Sequence, residues 1–204
     1  MGQPTVIVID DDAEIRETLG DLLQSVGLHA DLFASVQEFQ DCGHPERPGC
    51  IVLDVRLPGR SGLDFQDDLV NAKIRLPIVF ISGHADVPMS VRAMKAGAVE
   101  FLTKPVRHQE LLDAIQAAIE RDRGRRNDES SDATIQNNFD KLTQRERQVL
   151  ALVVSGRANK QIAVDLGIST TTVKLHRGQM MRKMQAPSLP ELVKMAGRLS
   201  HLKT

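Results

Sequence analysis

The feature that most constrains the fold of this chain is a set of short apolar runs, each leading into a charged or hydroxyl residue. The first run, residues 6–9, is followed at once by three consecutive aspartates. Such runs predict buried strands, and parallel strands bring their carboxyl ends to one edge of an open sheet. We therefore expect the residues that follow the four runs to meet at one site: Asp10 and Asp11, Asp54, Ser82, and Lys104.

Helical patterns alternate with these runs. After Asp12, the apolar positions from Ile15 to Val26 follow helical spacing, and Gly27 stands where a left-handed residue would end the helix. The alternation continues to residue 121, with further helices expected near 35–41, 62–72, 87–96 and 109–121. Strands that alternate with helices in this way predict a doubly wound α/β fold with a parallel sheet.

Clustered carboxylates are electrostatically unfavourable unless a cation is bound. Carboxylate oxygens are hard ligands, so Asp10 and Asp11 together with Asp54 predict a Mg²⁺ or Mn²⁺ site. In a second interpretation, the consecutive aspartates only cap the first helix, where each carboxylate contributes ~0.3–1 kcal/mol. We assign the capping role to Asp12 and expect the other two aspartates at the metal site.

Four motifs in this region resemble the receiver domain of bacterial two-component response regulators. They are VIVIDDD, IVLDVRLPG, IVFISGHAD and FLTKP, and the resemblance covers residues 4 to about 122. It implies a first domain, residues 1–122, with a flavodoxin-like, five-stranded parallel sheet in the order 2-1-3-4-5. It also implies a cis peptide bond between Lys104 and Pro105.

The resemblance further implies a role for each residue at the strand ends. Asp54 is expected to be the phosphoacceptor, because phosphoryl transfer to a protein carboxylate needs an accessible nucleophile and a bound metal. Asp11 and Asp54 are expected to bind the metal directly, and Asp10 through water. The other expected roles are a metal-binding backbone carbonyl at Arg56, a phosphoryl-pairing cation at Lys104, a phosphoryl-bonding hydroxyl at Ser82, and a ring at Phe101 that moves with it.

The charge distribution separates the chain into two halves. Residues 1–123 hold 20 Asp and Glu against 12 Lys and Arg, whereas residues 124–204 hold 7 against 14. The corresponding net charges of −8 and +7 suggest two domains, the second of which meets a polyanion such as nucleic acid. The polar segment 123–138 is interpreted as an exposed linker, with an extension of the preceding helix as the alternative.

Beyond this segment every recognisable pattern is helical. Two short helices around a glycine turn at residue 167 indicate a helix-turn-helix. The expected helix starts are a capping box of Thr143 with Glu146, then Asn159, Ser169 and Ser188. Residues 142–184 resemble the LuxR-type helix-turn-helix of the NarL/FixJ regulators, which implies a second, all-α, four-helix DNA-binding domain at residues 139–204.

The resemblance implies that the reading helix runs from Ser169 to Met184. A helix fits the major groove of DNA, and lysines and arginines around it hold phosphates. Gly178 stands where relatives often carry a basic or polar side chain, so base preference is not transferable. Phe139 is the only aromatic residue of this half, which disfavours single-stranded or RNA targets. The expected DNA contacts are Thr171, Thr172, Lys174, Leu175 and Arg177 at the groove, and Asn159, Lys160, Arg182 and Lys183 near the phosphates.

These expectations combine into a phosphorylation switch. The resemblance implies that a sensor histidine kinase phosphorylates the first domain. Resemblance to the FixJ branch also implies a homodimer that forms through the helix near 87–96 and the last strand. The dimer would bind double-stranded DNA and act on RNA polymerase. We expect a cytoplasmic protein without a membrane span and not a turnover enzyme, since Asp54 lacks the second acid of Asp-nucleophile phosphatases two residues later. A phosphorylation-independent DNA-binding regulator is the main alternative.

Overall fold

The computed structural model describes residues 3–42, 47–83 and 86–201, with side chains described as far as residue 199. The chain divides into two compact units, Met1–Arg126 and Asn127–Thr204. The elements in chain order are β1 (Thr5–Ile9), α1 (Ala13–Ser25), β2 (His29–Phe33), α2 (Val36–Cys42), β3 (Gly49–Asp54), β4 (Arg56–Leu57), β5 (Arg60–Ser61), α3 (Gly62–Asn71), β6 (Ile78–Ser82), α4 (Val87–Lys95), β7 (Glu100–Thr103), α5 (His108–Asp140), α6 (Gln144–Val154), α7 (Asn159–Leu166), α8 (Thr170–Met184) and α9 (Leu189–His201).

The first unit is built on one parallel sheet with the strand order β2-β1-β3-β6-β7. Counted over these five strands alone, the order is 2-1-3-4-5, so the expected flavodoxin-like fold is confirmed. In the register of the sheet, Asp54 lies opposite Ile81 and Ser82 lies opposite Thr103. The carboxyl ends of the central strands therefore share one edge.

Both faces of the sheet are covered by helices. Along β1, Val6 and Val8 join a buried cluster with residues of α1 and α5. The alternate residues Ile7 and Ile9 join a second cluster with residues of α2, α3 and α4. Because each strand is buried on both faces, it carries a continuous apolar run and not an alternating pattern.

Local capping fixes where the helices of this unit begin and end. The Asp12 side chain accepts hydrogen bonds from the backbone N–H groups of Glu14 and Ile15, as expected of a helix cap. Gly27 follows the end of α1 with a φ of 76°, a left-handed conformation that glycine adopts without steric cost. Capping of this kind contributes about 1 kcal/mol per helix.

The last helix of the first unit is longer than our main interpretation of the sequence predicts. That interpretation was a helix ending near Arg121 with an exposed linker at 123–138, and the alternative was an extension of the preceding helix. Helix α5 continues through the segment to Asp140, as in the alternative. The buried Ile135 contributes to the core of the second unit, and such burial stabilises helix more than polar composition opposes it. The domain boundaries stay a prediction.

Although α5 is long, no helix in the described part of the chain is apolar enough over a sufficient length to cross a membrane.

The second unit is a small helical core that contains the expected helix-turn-helix. Its buried residues include Val149, Ile162, Val173 and Leu192, one from each of α6 to α9. The capping box at the start of α6 and the cap of α8 by Ser169 are present as expected.

The cap at the start of α7 differs from the expectation. Ala158 occupies the cap position and accepts no side-chain hydrogen bond, because Asn159 is already the first helical residue. The Asn159 side-chain oxygen accepts a hydrogen bond from Arg177 instead, at 3.0 Å.

Candidate functional site

Lys104 joins two of the strand-end aspartates in direct contact. Its Nζ donates hydrogen bonds to Asp54 Oδ2 at 2.6 Å and to Asp10 Oδ2 at 2.7 Å. The lysine follows β7, and its backbone N–H donates to the Ser82 carbonyl oxygen at 2.8 Å. Strand pairing therefore places the lysine, and the side chain reaches across the edge of the sheet to both carboxylates.

Three carboxylates lie together beside this lysine. Ligand atoms of Asp10, Asp11 and Asp54 all lie within 4.8 Å of one another. Asp10 and Asp54 are buried, whereas Asp11 is exposed. We call Asp10, Asp11, Asp54 and Lys104 the strand-end site. Three hard oxygen donors that approach each other this closely form a set suited to Mg²⁺ or Mn²⁺.

The strand-end site carries an excess of negative charge in a poorly solvated position. Burial raises the pKa of Asp10 above its ordinary value, although hydrogen bonds from Lys104 and from the Asp12 N–H oppose that rise. Burial would lower the pKa of Lys104, but its hydrogen bonds to Asp10 and Asp54 outweigh burial and raise it. One lysine thus offsets part of the charge of three carboxylates, and a cation would offset the rest.

The backbone around Asp54 is held by a short hairpin that the sequence analysis missed. Strands β4 and β5 pair in antiparallel fashion directly after Asp54. The Arg56 N–H donates to Asp54 Oδ1 at 3.0 Å, so Arg56 lies beside Asp54, while metal binding by its carbonyl stays a prediction. A Cβ on Gly62 would lie only 2.3 Å from the Asp54 carbonyl oxygen. Only glycine therefore allows α3 to begin this close to Asp54.

The two expected switch residues lie on the neighbouring strands. Ser82 is fully buried at the end of β6, one residue beyond the partner of Asp54. Phe101 is partly buried on β7, and its ring lies 6.0 Å from that of Phe80, centroid to centroid. The peptide bond between Lys104 and Pro105 is cis, as the resemblance implies.

In the second unit, α8 presents one exposed face. The exposed positions recur with the helical repeat, so they form a single stripe along the helix. Leu175 is 57% exposed, which is unusual for a large apolar side chain unless it meets a partner. We call this stripe the reading face: Thr171, Lys174, Leu175, Gly178 and Arg182.

Other residues expected to contact DNA have partners within the unit. The Thr172 hydroxyl lies 2.8 Å from that of Ser169 at the helix start. Arg177 is bonded to Asn159 as described above. Lys183 Nζ donates to Glu146 Oε2 at 2.7 Å, and Glu146 is only 2% exposed. Lys183 thus neutralises a buried carboxylate, a role that the sequence analysis did not assign. Lys160, in contrast, is exposed at the start of α7.

Helices α4 and α9 each expose more than one large apolar side chain. On α4, Val87 is 74% exposed, and Val91 and Met94 are each 44% exposed. Met89 on the same helix and Val99 just before β7 instead pack against the core clusters. On α9, Leu189 and Val193 are exposed, whereas Leu192 and Leu199 are buried. The last helix is therefore partly core and partly free apolar surface.

Comparison with known families matches this two-part organisation. Residues 6–116 match the response regulator receiver domain, and residues 140–196 match the bacterial regulatory proteins of the luxR family. The fold and the strand-end site thus define a receiver domain, and the helical unit defines a LuxR-type DNA-binding domain. The chain belongs to the two-component response regulators of the NarL/FixJ family.

Similar proteins extend over almost the whole chain. Nodulation protein W of Bradyrhizobium diazoefficiens is 50% identical over 194 residues, which cover 95% of this chain and 86% of that protein. The transcriptional regulatory protein FixJ of Azorhizobium caulinodans is 45% identical, with coverage of 94% and 90%. A solved structure of the response regulator StyR is 45% identical with a TM-score of 0.87, and covers 97% of this chain and all of that one. The receiver domain implies a sensor kinase as a partner, and the luxR-type domain implies DNA.

Proposed function

We propose that this response regulator accepts a phosphoryl group on Asp54 from a sensor histidine kinase, and that phosphorylation promotes dimerisation and sequence-specific binding to double-stranded DNA. The observation that carries the proposal is the pair of contacts from Lys104 Nζ to Asp54 at 2.6 Å and to Asp10 at 2.7 Å. A nucleophilic carboxylate, a fixed cation and a set of metal ligands are the parts that phosphoryl transfer requires.

In the proposed transfer, a carboxylate oxygen of Asp54 attacks phosphorus while the bond from phosphorus to the histidine nitrogen of the kinase breaks. Lys104 then pairs with the phosphoryl oxygens, and the Ser82 hydroxyl donates to one of them. Asp11 and Asp54 would hold Mg²⁺ or Mn²⁺ directly, with Asp10 through water and Arg56 through its carbonyl. The bound metal would neutralise charge on the incoming phosphoryl group.

The proposed switch links Ser82 to surfaces farther from the site. When Ser82 moves toward the phosphoryl group, the ring of Phe101 would take the space that is vacated. Phe101 lies on β7, next to α4 with its exposed Val87, Val91 and Met94. Apolar side chains this exposed favour a partner, and we assign that partner as a second copy of the chain.

The first experiment measures intact mass after incubation with Mg²⁺ and a small acyl phosphate. We expect the native chain to gain one phosphate and Asp54→Asn to gain none. Asp12→Asn is the matched control, because Asp12 caps α1 and lies next to the same site without belonging to it. Labelling of Asp54→Asn at the native rate would exclude Asp54 as the acceptor.

The second experiment tests the reading face by selection from a random pool of duplex DNA. We expect the phosphorylated chain to enrich a sequence with two half-sites, since a homodimer presents two reading helices. Lys174→Met should weaken binding to that sequence and lower its salt dependence by about one counterion. Equal DNA affinity before and after phosphorylation would favour the alternative of a phosphorylation-independent regulator.

A further inference from the structure

A cavity opens at the edge of the first unit opposite the strand-end site. It lies where β6 begins, at Leu76 to Ile78, while the strand-end site lies where the same sheet's strands finish. The end of α3, the turn after α4 and two arginines of α5 complete its walls. Its volume is about 500 Å³, which is within the ~300–1,000 Å³ range of small-ligand pockets. We call it the base cavity.

The inner wall of the base cavity is apolar. Leu69, Leu76 and Ile78 line it and are almost completely buried. Gln66 is also buried there, and its side-chain Nε2 donates to the Ala93 carbonyl oxygen at 3.2 Å. Val70, at the opening, is 59% exposed. A ligand with an apolar body would cover this surface.

The opening of the base cavity is cationic. Lys73, Arg75, Arg121 and Arg125 all line it, and none of its lining residues in the described chain carries a carboxylate. Lys73, Arg75 and Arg121 come from the half of the sequence, residues 1–123, whose net charge is −8, so their clustering is not a consequence of composition. Such a concentration of one sign of charge around a low-dielectric wall focuses an attractive field for anions.

Two of these arginines are held in place by contacts within the first unit. Arg121 Nη1 donates to the Gly97 carbonyl oxygen at 3.2 Å. Arg125 pairs with Asp122, which is fully buried and also accepts hydrogen bonds from Arg126 and the Gly49 N–H. Asp122 offsets part of the arginine charge, but it leaves Lys73 and Arg121 at the opening. These two arginines are therefore positioned before a ligand arrives.

We propose that the base cavity binds a small organic anion with an apolar chain, the class that includes medium-chain carboxylates and the phosphate esters of medium-chain alcohols. The anionic group would lie among the four cations, and the chain would lie against Leu69, Leu76 and Ile78. A peptide partner is the less suitable occupant, since a specific protein interface buries ~800 Å² on each partner. The bound anion would bridge three elements: the turn before β6, the turn after α4, and helix α5.

The test measures binding of decanoate to the full chain by calorimetry, below the micellar concentration. We expect saturable binding, with hexanoate weaker than decanoate because it buries less apolar surface. Decan-1-ol lacks the charge and inorganic phosphate lacks the chain, so both should bind at least about tenfold more weakly. Decyl phosphate separates the two sources of anion, and tighter binding than decanoate would identify a phosphate ester as the natural class.

Val70→Glu locates the site, because it places a negative charge at the opening without disturbing the core. We expect it to weaken decanoate binding about tenfold or more. Val26→Glu is the matched control, an equally conservative change at another exposed valine of the first unit, and it should leave binding unchanged. Equal loss in both variants, or equal binding of decanoate and decan-1-ol, would overturn the proposal.

Hydrogen exchange locates the decanoate-binding site independently of the variants. Decanoate should slow amide exchange in residues 69–78 and at Ala96 and Gly97, and should leave the strand-end site unprotected. Phosphate labelling of Asp54 is measured on the same samples, so failure of decanoate binding is distinguishable from failure of the phosphoacceptor assignment. Protection confined to the second unit, or no protection at all, would contradict the base cavity as the binding site.

Discussion

Asp54 and Lys104 are 50 residues apart in sequence, yet their side chains are in contact. In contrast, the whole reading face lies on one helix between Thr171 and Arg182. The first site exists only when the sheet is correctly registered, and its charges are largely buried. The second is a row of exposed side chains that any intact helix would present. We therefore expect a single substitution at the strand-end site to impair the whole site strongly. A single substitution on the reading face should have a smaller effect, because several side chains share the binding.

The difference follows from how each site is held. At the strand-end site, Asp10 and Asp54 make contacts to backbone and to Lys104, so displacement of one group disturbs the others. On α8, each exposed side chain is surrounded by water and has few neighbours to disturb. Sites that perform chemistry need fixed distances, whereas a DNA-binding surface can adjust its side chains on contact.

Gly62→Ala should produce the largest effect, although it alters no side chain of the strand-end site. The new Cβ would approach the Asp54 carbonyl oxygen to 2.3 Å, so the backbone must shift at Asp54, the proposed acceptor. A misplacement of about 1 Å can lower the rate of a reaction about a hundredfold. The rate of phosphate labelling by a small acyl phosphate, followed by intact mass, measures it.

Gly124→Ala is the matched control, because a Cβ on that glycine of α5 meets no atom within 4 Å. It should leave labelling unchanged and stabilise the helix by about 0.5–1 kcal/mol. Native labelling in Gly62→Ala would show that the acceptor tolerates backbone displacement, and the contrast between the two sites would then be weaker than we infer.

Lys183→Met tests whether Lys183 stabilises the second unit or contacts DNA. Loss of the lysine leaves the buried Glu146 carboxylate without its cation. Breaking a fully buried pair costs ~3–5 kcal/mol, and the partial exposure of Lys183 reduces our expectation to about 2 kcal/mol. Chemical denaturation followed by circular dichroism measures the loss.

Lys174→Met removes the same charge from the same helix, at an exposed position. It should change the free energy of unfolding by less than about 0.5 kcal/mol while weakening DNA binding. If Lys183→Met weakens DNA binding and leaves stability unchanged, the phosphate-contact role that the sequence suggested for Lys183 is the correct one.

The sequence predicts those features that repeat or lie close together. The apolar runs, the carboxylates behind them, and the capping box of Thr143 and Glu146 are all visible in it, and the sheet order follows from the family resemblance. The pairing of Glu146 with Lys183, 37 residues away, is not visible. A capping glutamate is ordinarily exposed, and no local feature of the sequence predicts the burial of Glu146.

The full length of α5 was only the second interpretation of the sequence for a related reason. Residues 123–138 are polar, and composition alone favours an exposed linker. Their helix is stabilised by contacts distant in sequence, including the burial of Ile135 and the pairing of Arg198 with Asp132 at 2.5 Å. Gly62 carries no chemical group at all, so only the structure shows how close its backbone lies to the acceptor.

The smallest expected effect is a pH dependence confined to the second unit. Burial would raise the pKa of Glu146, but the hydrogen bonds from Lys183 and from the Thr143 N–H outweigh it and lower the pKa below its usual range. A carboxyl group with a lowered pKa in the folded state binds protons more readily when unfolded. Its contribution to stability is therefore present above the ordinary pKa of glutamate and is lost as the pH falls through the folded value.

Glu146→Gln isolates this contribution, because glutamine keeps the capping geometry without the charge. We expect native α6 to be better protected from hydrogen exchange than α6 of the variant at pH 6, and the difference to disappear as the solution is acidified. The comparison is made between the two proteins at each pH, so intrinsic exchange rates cancel. Exchange in β1 and β3 should be the same in both proteins throughout. A difference in α6 protection that stayed constant across the pH range would mean that Glu146 stabilises the unit through packing and not through its charge. The electrostatic contrast between the two units would then rest on the strand-end site alone.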